Sequence, residues 1–213
     1  MNIILEYKET FTHLNILKIG AYRGDCGNDP LYGKLNDKMN CIFVEPVERY
    51  INALKEYHGK VLPMNHFIYI NKALGSEEGK IQIHYPSVTN DWNAFPQWLE
   101  QCASSRPDHV KSHGYEIDMD TSIVPMTTIK NVLNYYFVKS IDWLCCDTEG
   151  MDYDILMAYD FSVKPTFLSF EKIHMDGYKT VGKKYDTLIA YLNSKGYEVI
   201  HTDEFDTYMK LRG

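Results

Sequence analysis

An apolar run closing on a glycine turn, followed by a second apolar run closing on a carboxylate, constrains the fold of this chain most. The first is Leu14-Asn-Ile-Leu-Lys-Ile-Gly-Ala-Tyr-Arg-Gly-Asp25 and the second is Cys41-Ile-Phe-Val-Glu45-Pro46. Two buried strands, a turn and an acidic tip make the frame of an α/β nucleoside-binding unit. Glycines there let the backbone approach a ligand, and an acid at the next strand's end can grip ribose hydroxyls. An ordinary α/β turn also uses glycine; Glu45-Pro46 favours the ligand-binding reading.

The glycine spacing narrows the ligand. Gly20 and Gly24 form G-x-x-x-G, without the extra glycine that lets a backbone close on a pyrophosphate. S-adenosylmethionine (SAM) has a ribose and an adenine but no phosphate, so it suits the looser turn.

At 213 residues the chain supports one well-buried domain. A net charge of -7 argues against broad nucleic-acid binding, which calls for a basic face. Five cysteines, two adjacent at Cys145-Cys146 and none in a C-x-x-C pair, read as free thiols in a reducing cytosol rather than zinc ligands. The apolar run in Met1 to Glu9 is too short for a signal peptide, and no segment is long enough to span a membrane.

Strand and helix patterns alternate along the chain. Strands are expected at Leu14 to Ile19, Cys41 to Val44, His66 to Asn71, Ile141 to Cys146 and Thr166 to Phe170. A half-exposed strand is expected at Ile81 to Tyr85 and a short one at Ile123 to Met126. Helices follow Pro46, with Gly59 as the stop, and Thr128 as an N-cap. Others run from Asp152 to Tyr159 and from Tyr185 to Ser194. Tyr197 to His201 and Thr207 to Leu211 form a closing hairpin. This is a doubly wound α/β sheet with one reversed strand. Residues 86–122 lack periodicity and read as an irregular insertion over the active face, with a short helix near Phe95 to Cys102.

Ligands of open α/β sheets sit beyond the carboxyl ends of the strands. Gly20 to Asp25, Glu45, Asp147 with Glu149, and Glu171 with His174 all fall at such ends. Acids there can instead cap the following helices, and for Asp147 and Glu149 the two readings weigh equally. Transfer of a methyl to a hydroxyl needs alignment, exclusion of water and a base. His174 is the first choice for that base. Asp147, Glu149 and Glu171 are candidates to orient it, take the proton or bind the acceptor. Asp147 and Glu171 are also placed to share a Mg²⁺ ion. In the insertion, Trp92 beside Asn90, Asp91 and Asn93 suits a sugar, whereas Trp98 fits a small local core. His109 and His113 read as solvated loop residues.

Taken together, these segments resemble the FkbM-type SAM-dependent methyltransferases. The resemblance rests on Leu17-Lys-Ile-Gly-Ala-Tyr-Arg-Gly24, Phe43-Val-Glu-Pro46, Asn71-Lys-Ala-Leu-Gly75, Ile141-Asp-Trp-Leu-Cys-Cys-Asp-Thr-Glu-Gly150 and Leu168-Ser-Phe-Glu171, in that order from about Leu14 to Ile200. It implies a class I, Rossmann-like methyltransferase domain over 1–213, with a mostly parallel seven-stranded sheet. It also implies O-methylation of a sugar hydroxyl in a glycan or glycoconjugate. By position, Gly20, Ala21, Tyr22 and Gly24 would line the methionine part of SAM, and Glu45 and Pro46 the ribose. Lys72 and Ala73 would lie near adenine, and Asp147 beside the sulfonium. One departure stands out: Lys18 replaces the acid this family usually carries two residues before the first glycine, so a nearby acid or the SAM carboxylate must compensate. The rival readings are a protein or RNA methyltransferase, an NAD-dependent oxidoreductase on a similar sheet, and a binding module without catalysis.

Overall fold

In the computed structural model, residues 13–26, 29–61 and 67–213 are described. The expectation for Met1 to Glu9 falls outside them, as does His66, the first residue of the expected third strand.

The central apolar runs become strands β1 (Leu14–Ile19), β2 (Met39–Val44), β3 (Phe67–Ile70), β7 (Trp143–Cys146) and β8 (Phe167–Glu171). All of these pair in parallel. The closing hairpin, β9 (Tyr197–Thr202) and β10 (Asp206–Leu211), joins with β10 antiparallel to β8. The seven-stranded order is β3-β2-β1-β7-β8-β10-β9, with β10 the one reversed strand. Every residue of β7 and β8 is buried, as expected of a parallel sheet covered on both faces.

The side-chain alternation of β1 divides the core. Leu17 and Ile19 face a cluster with Ile129, Val132 and Leu133 of α3 (Ile129–Tyr135), Ile155 and Leu156 of α4 (Asp152–Ala158), and Leu188 and Leu192 of α5 (Lys183–Ser194). Leu14 and Ile16 face the opposite layer, where Ile51 and Leu54 of α1 (Glu48–Val61) pack with Phe43, Phe67 and Trp143. The Thr128 hydroxyl accepts from the Asn131 N–H at 3.2 Å, the expected N-cap of α3. Gly59 does not stop α1, which runs to Val61. Lys60 in its last turn favours the helix's negative end, and a glycine costs a helix only about 1 kcal/mol.

A second sheet departs from the expected pattern. Strands β4 (Ala73–Leu74), β5 (Gly79–Pro86) and β6 (Met119–Thr127) form a separate three-stranded sheet in the order β4-β6-β5. β5 and β6 pair antiparallel from Gly79–Met126 to Pro86–Met119. The irregular insertion is therefore the long connection of a hairpin. It contains a single 3₁₀ turn at Gln97–Gln101 and a short helix α2 (His109–Ser112), built around buried Leu99, Cys102 and Val110.

His58 links the fold to pH. It is 1% exposed, tilted against the rings of Phe43 and Phe67, with Nδ1 2.9 Å from the Tyr69 hydroxyl. Burial pushes its pKa from 6.5 down to about 4, against a small opposing pull from Asp29. Between those values the unfolded chain binds the extra proton, so this contribution to stability is present above pH 6.5 and drains as pH falls toward 4. His58→Asn is expected to be less stable overall but to lose less between about pH 7 and about pH 5, by roughly 2 kcal/mol. Urea unfolding at the two pH values checks this; equal losses in both proteins would disprove it.

Candidate active site

The strand order reverses between β1 and β7, and the ends of those strands bound a cleft. Gly20 sits at the β1 tip with φ +72°, and a Cβ there would lie 1.6 Å from the Asp147 carbonyl oxygen. The glycine is required because the two strand ends touch through their backbones. Gly24 serves another purpose: the space beside it is taken by Leu54 of α1, and it does not line the cleft. Ala21 is buried in the core.

Gly20, Tyr22, Glu45, Pro46, Lys72, Ala73 and Asp147 all line this cleft. The Glu45 carboxylate is 4% exposed. It accepts from the Tyr22 N–H and the Val47 N–H, each at 2.9 Å. Burial raises its pKa to about 7, while those two hydrogen bonds oppose the rise. Two amides orient the group, and its remaining lone pairs are available to hydroxyls. Leu74, Ile83 and Met151 supply apolar wall. An acid held by backbone amides, a side-chain-free β1 tip and an apolar wall fit a nucleoside without phosphate.

A second cavity, about 560 Å³ in volume, opens on the other side of Asp147 and Glu149. These two acids and Gln101 line both spaces. Glu149 has φ +54°, an uncommon conformation for a side-chain-bearing residue and one often kept at functional positions. Its Oε2 is 2.7 Å from His109 Nε2 and 3.8 Å from His174 Nε2, and His174 Nε2 is 3.7 Å from Glu171 Oε1. The rings of His109, His113 and His174 meet edge-to-face, with centroids 4.8–5.0 Å apart. Burial lowers the pKa of His109 and His113 to about 4 and of His174 to about 3, helped by neighbouring cations, so all three imidazoles are neutral at physiological pH. Burial raises Glu149, with Asp152 adding to it, and raises Glu171 well above the usual range, with Glu149 and Asp147 adding to it. Asp147, exposed to the cleft, is also raised; surrounding protein and Glu149 outweigh the pull of Lys18.

Lys18 points into this acidic floor from β1. It is 3% exposed, 3.7 Å from Asp29 Oδ2 and 3.9 Å from Cys145 Sγ. Burial disfavours its charge, but Asp29, Cys145, Asp147 and Asp206 outweigh that and raise its pKa. The compensating acid for Lys18 is thus Asp29, supplied by the loop after the glycine turn.

Several placements differ from the sequence reading. His109 is 1% exposed and His113 half-buried, so neither is solvated. The insertion folds back and delivers both to Glu149. Ser104 Oγ donates to the Glu149 carbonyl at 2.8 Å, and Arg106 Nη1 donates to the His174 carbonyl at 3.3 Å. The two tryptophans lie elsewhere than expected: Trp92 packs on the insertion's own apolar cluster, and Trp98, 40% exposed, lines the second cavity. The spacing His109-x-x-x-His113 was the available signal for the missed histidines, since it places both on one side of a helical turn.

A family model described as the methyltransferase FkbM domain matches residues 18–199. The chain belongs to the FkbM methyltransferase family. Its fold is that of class I SAM-dependent methyltransferases. A methyltransferase FkbM from Methylobacillus flagellatus superposes with a TM-score of 0.54 at 14% identity, over 94% of this chain and 44% of that one. This chain therefore spans less than half of that protein. A candidate caffeoyl-CoA O-methyltransferase from Staphylococcus aureus gives 0.53 at 11% identity, over 99% of this chain and 81% of that one. A candidate rRNA methylase from Clostridium thermocellum gives 0.53 at 7%, over 96% and 91%. At such identities the likeness speaks for the fold. Among curated proteins no match is found. Among the described residues of this FkbM domain, no helix is long and apolar enough to cross a membrane.

Gly20→Ala is expected to push the β1 and β7 tips apart and destabilise the fold by about 3 kcal/mol or more. Gly33→Ala, also at positive φ but with nothing within 4 Å of its Cβ, is expected to cost only about 1 kcal/mol. Thermal melting of the two variants compares them; equal losses would show that the strand-tip contact is unimportant.

Proposed function

We propose that this chain is a SAM-dependent O-methyltransferase acting on a sugar hydroxyl of a glycan or glycoconjugate. The observation that carries the reading is the shared wall between the two cavities. A nucleoside cleft meets a cavity rich in hydrogen-bonding groups at Asp147 and Glu149, and the Glu149–His109–His174–Glu171 cluster stands beside that junction.

SAM, when bound, supplies an electrophilic methyl group; Glu45 and Pro46 would hold its ribose, Lys72 and Ala73 its adenine, and Gly20 and Tyr22 its amino-acid end. The chain's own residues do the rest. A carboxyl whose pKa is raised by burial accepts a proton effectively near neutrality, and a neutral imidazole beside it can relay one to it. His174 and Glu149 together offer the acceptor hydroxyl a base, with Glu171 and His109 orienting it. The insertion covers this junction and excludes water. On the acceptor side, Trp98 and Tyr208 present aromatic surface, and Asp206, Gln101 and Glu171 present hydrogen-bonding groups. That combination suits a ring with apolar C–H faces and several hydroxyls. An acidic chain favours a saccharide over RNA as acceptor. Five unbridged cysteines suit a reducing, cytoplasmic setting.

Labelled SAM and a panel of saccharides test this. His174→Ala and Glu149→Gln are expected to lose roughly 10²–10⁴-fold in turnover while S-adenosylhomocysteine (SAH) binding survives in calorimetry. Glu45→Ala is expected to abolish that binding. Unchanged turnover in both of the first two variants would refute the catalytic assignment, and methylation of protein or RNA but no saccharide would refute the substrate class.

A further inference from the structure

Beside the shared wall lies an unusual concentration of metal-binding chemistry. Cys102, His109, His113 and Glu149 each offer a donor atom, and the four lie within 4.8 Å of one another. Glu149, Glu171 and His174 form a second such set on the same carboxylate. Three ring nitrogens, His109 Nδ1, His113 Nε2 and His174 Nδ1, are buried without a hydrogen-bond partner, as is Glu171 Oε2. Buried polar atoms of folded proteins are nearly always paired, so unpartnered nitrogens on two of the four grouped residues, His109 and His113, point to a missing partner.

We propose that this cluster binds one divalent transition-metal ion of the zinc class, held by Cys102, His109, His113 and Glu149, with Glu171 and His174 flanking it. The donor set selects the ion. Imidazole and thiolate favour zinc-like metals over magnesium or calcium, which take oxygen ligands. A thiolate and a carboxylate would balance the charge of a divalent ion, with two neutral imidazoles completing four ligands.

The site joins parts of the fold that sequence keeps apart. Cys102, His109 and His113 come from the insertion, Glu149 from the loop after β7, and Glu171 and His174 from the end of β8 and its loop. A bound ion would clamp the insertion onto the strand tips. Four protein ligands fill a tetrahedral site, so the ion's part is structural, and the proposal stands on its geometry apart from the methyl-transfer reading.

The test uses the tag-free 213-residue chain, stripped with chelator and titrated with Zn²⁺ by calorimetry, alongside a separate SAH titration. One equivalent of Zn²⁺ is expected to bind, and Co²⁺ in its place is expected to show a thiolate charge-transfer band. Cys102→Ser and His113→Ala are expected to weaken Zn²⁺ binding by about 100-fold or more, with SAH affinity kept as proof of folding. His84→Ala, away from the cluster, is expected to bind Zn²⁺ as the parent does. If Cys102→Ser does not fold, His113→Asn carries the same expectation. Zn²⁺ uptake that does not saturate near one equivalent, or that survives both ligand substitutions, overturns the proposal. Zn²⁺ binding without SAH binding would support the metal site while refuting the methyl-transfer reading.

Discussion

The parallel pairing of β1 with β7, carried to a backbone contact at Gly20 and Asp147, is the constraint on which the rest of the site depends. Ile16 to Ile19 lie in register with Trp143 to Cys146. Beyond that register the chain leaves β1 toward one layer and β7 toward the other. The parting chains open the cleft, and the missing side chain at Gly20 keeps its floor tight. Glu45 then reaches the same rim from β2, because β1 pairs in parallel with both neighbours and brings all three tips to one edge.

Around that rim the insertion acts as a cover anchored at several points. Tyr22 and Arg23 of the glycine turn hydrogen-bond to Glu100, and the Tyr50 hydroxyl donates to the Glu100 carbonyl. Ser104 and Arg106 secure the far side to Glu149 and His174. Each bond is modest alone, and those of exposed charges more so. Together they hold a segment with only a small apolar core of its own, so the cover follows the strand tips.

Acids gather around the site: Asp147, Glu149, Glu171 and Asp206 line its cavities with Asp152 close behind, and Lys18 acts on Asp147 and Asp206. Burial, with repulsion from neighbouring acids, raises the pKa of Glu149, Asp152, Glu171 and Asp206, and Asp147 at the cleft is raised as well. Lys18 is a buried counter-charge for Asp147 and Asp206, itself held by Asp29, and Arg106 plays that part for Glu149. A buried lysine is thereby built into the charge balance of the cavity.

The sequence alone determined the sheet, its reversed strand, and the acids at the strand ends. Local pattern governs these: runs such as Trp143 to Cys146 must be buried on both faces, and whatever follows a parallel strand emerges at its tip. For the same reason Glu45, Asp147, Glu149, Glu171 and His174 were legible as a group before their distances were known. Tertiary structure decided what no periodicity encodes. It joined β5 to β6 in a second sheet, turned Trp98 rather than Trp92 toward the cavity, and carried His109 and His113 to Glu149. Loop residues take their positions from distant partners such as Ser104 with Glu149. In an irregular segment, neighbours in sequence therefore say little about neighbours in space.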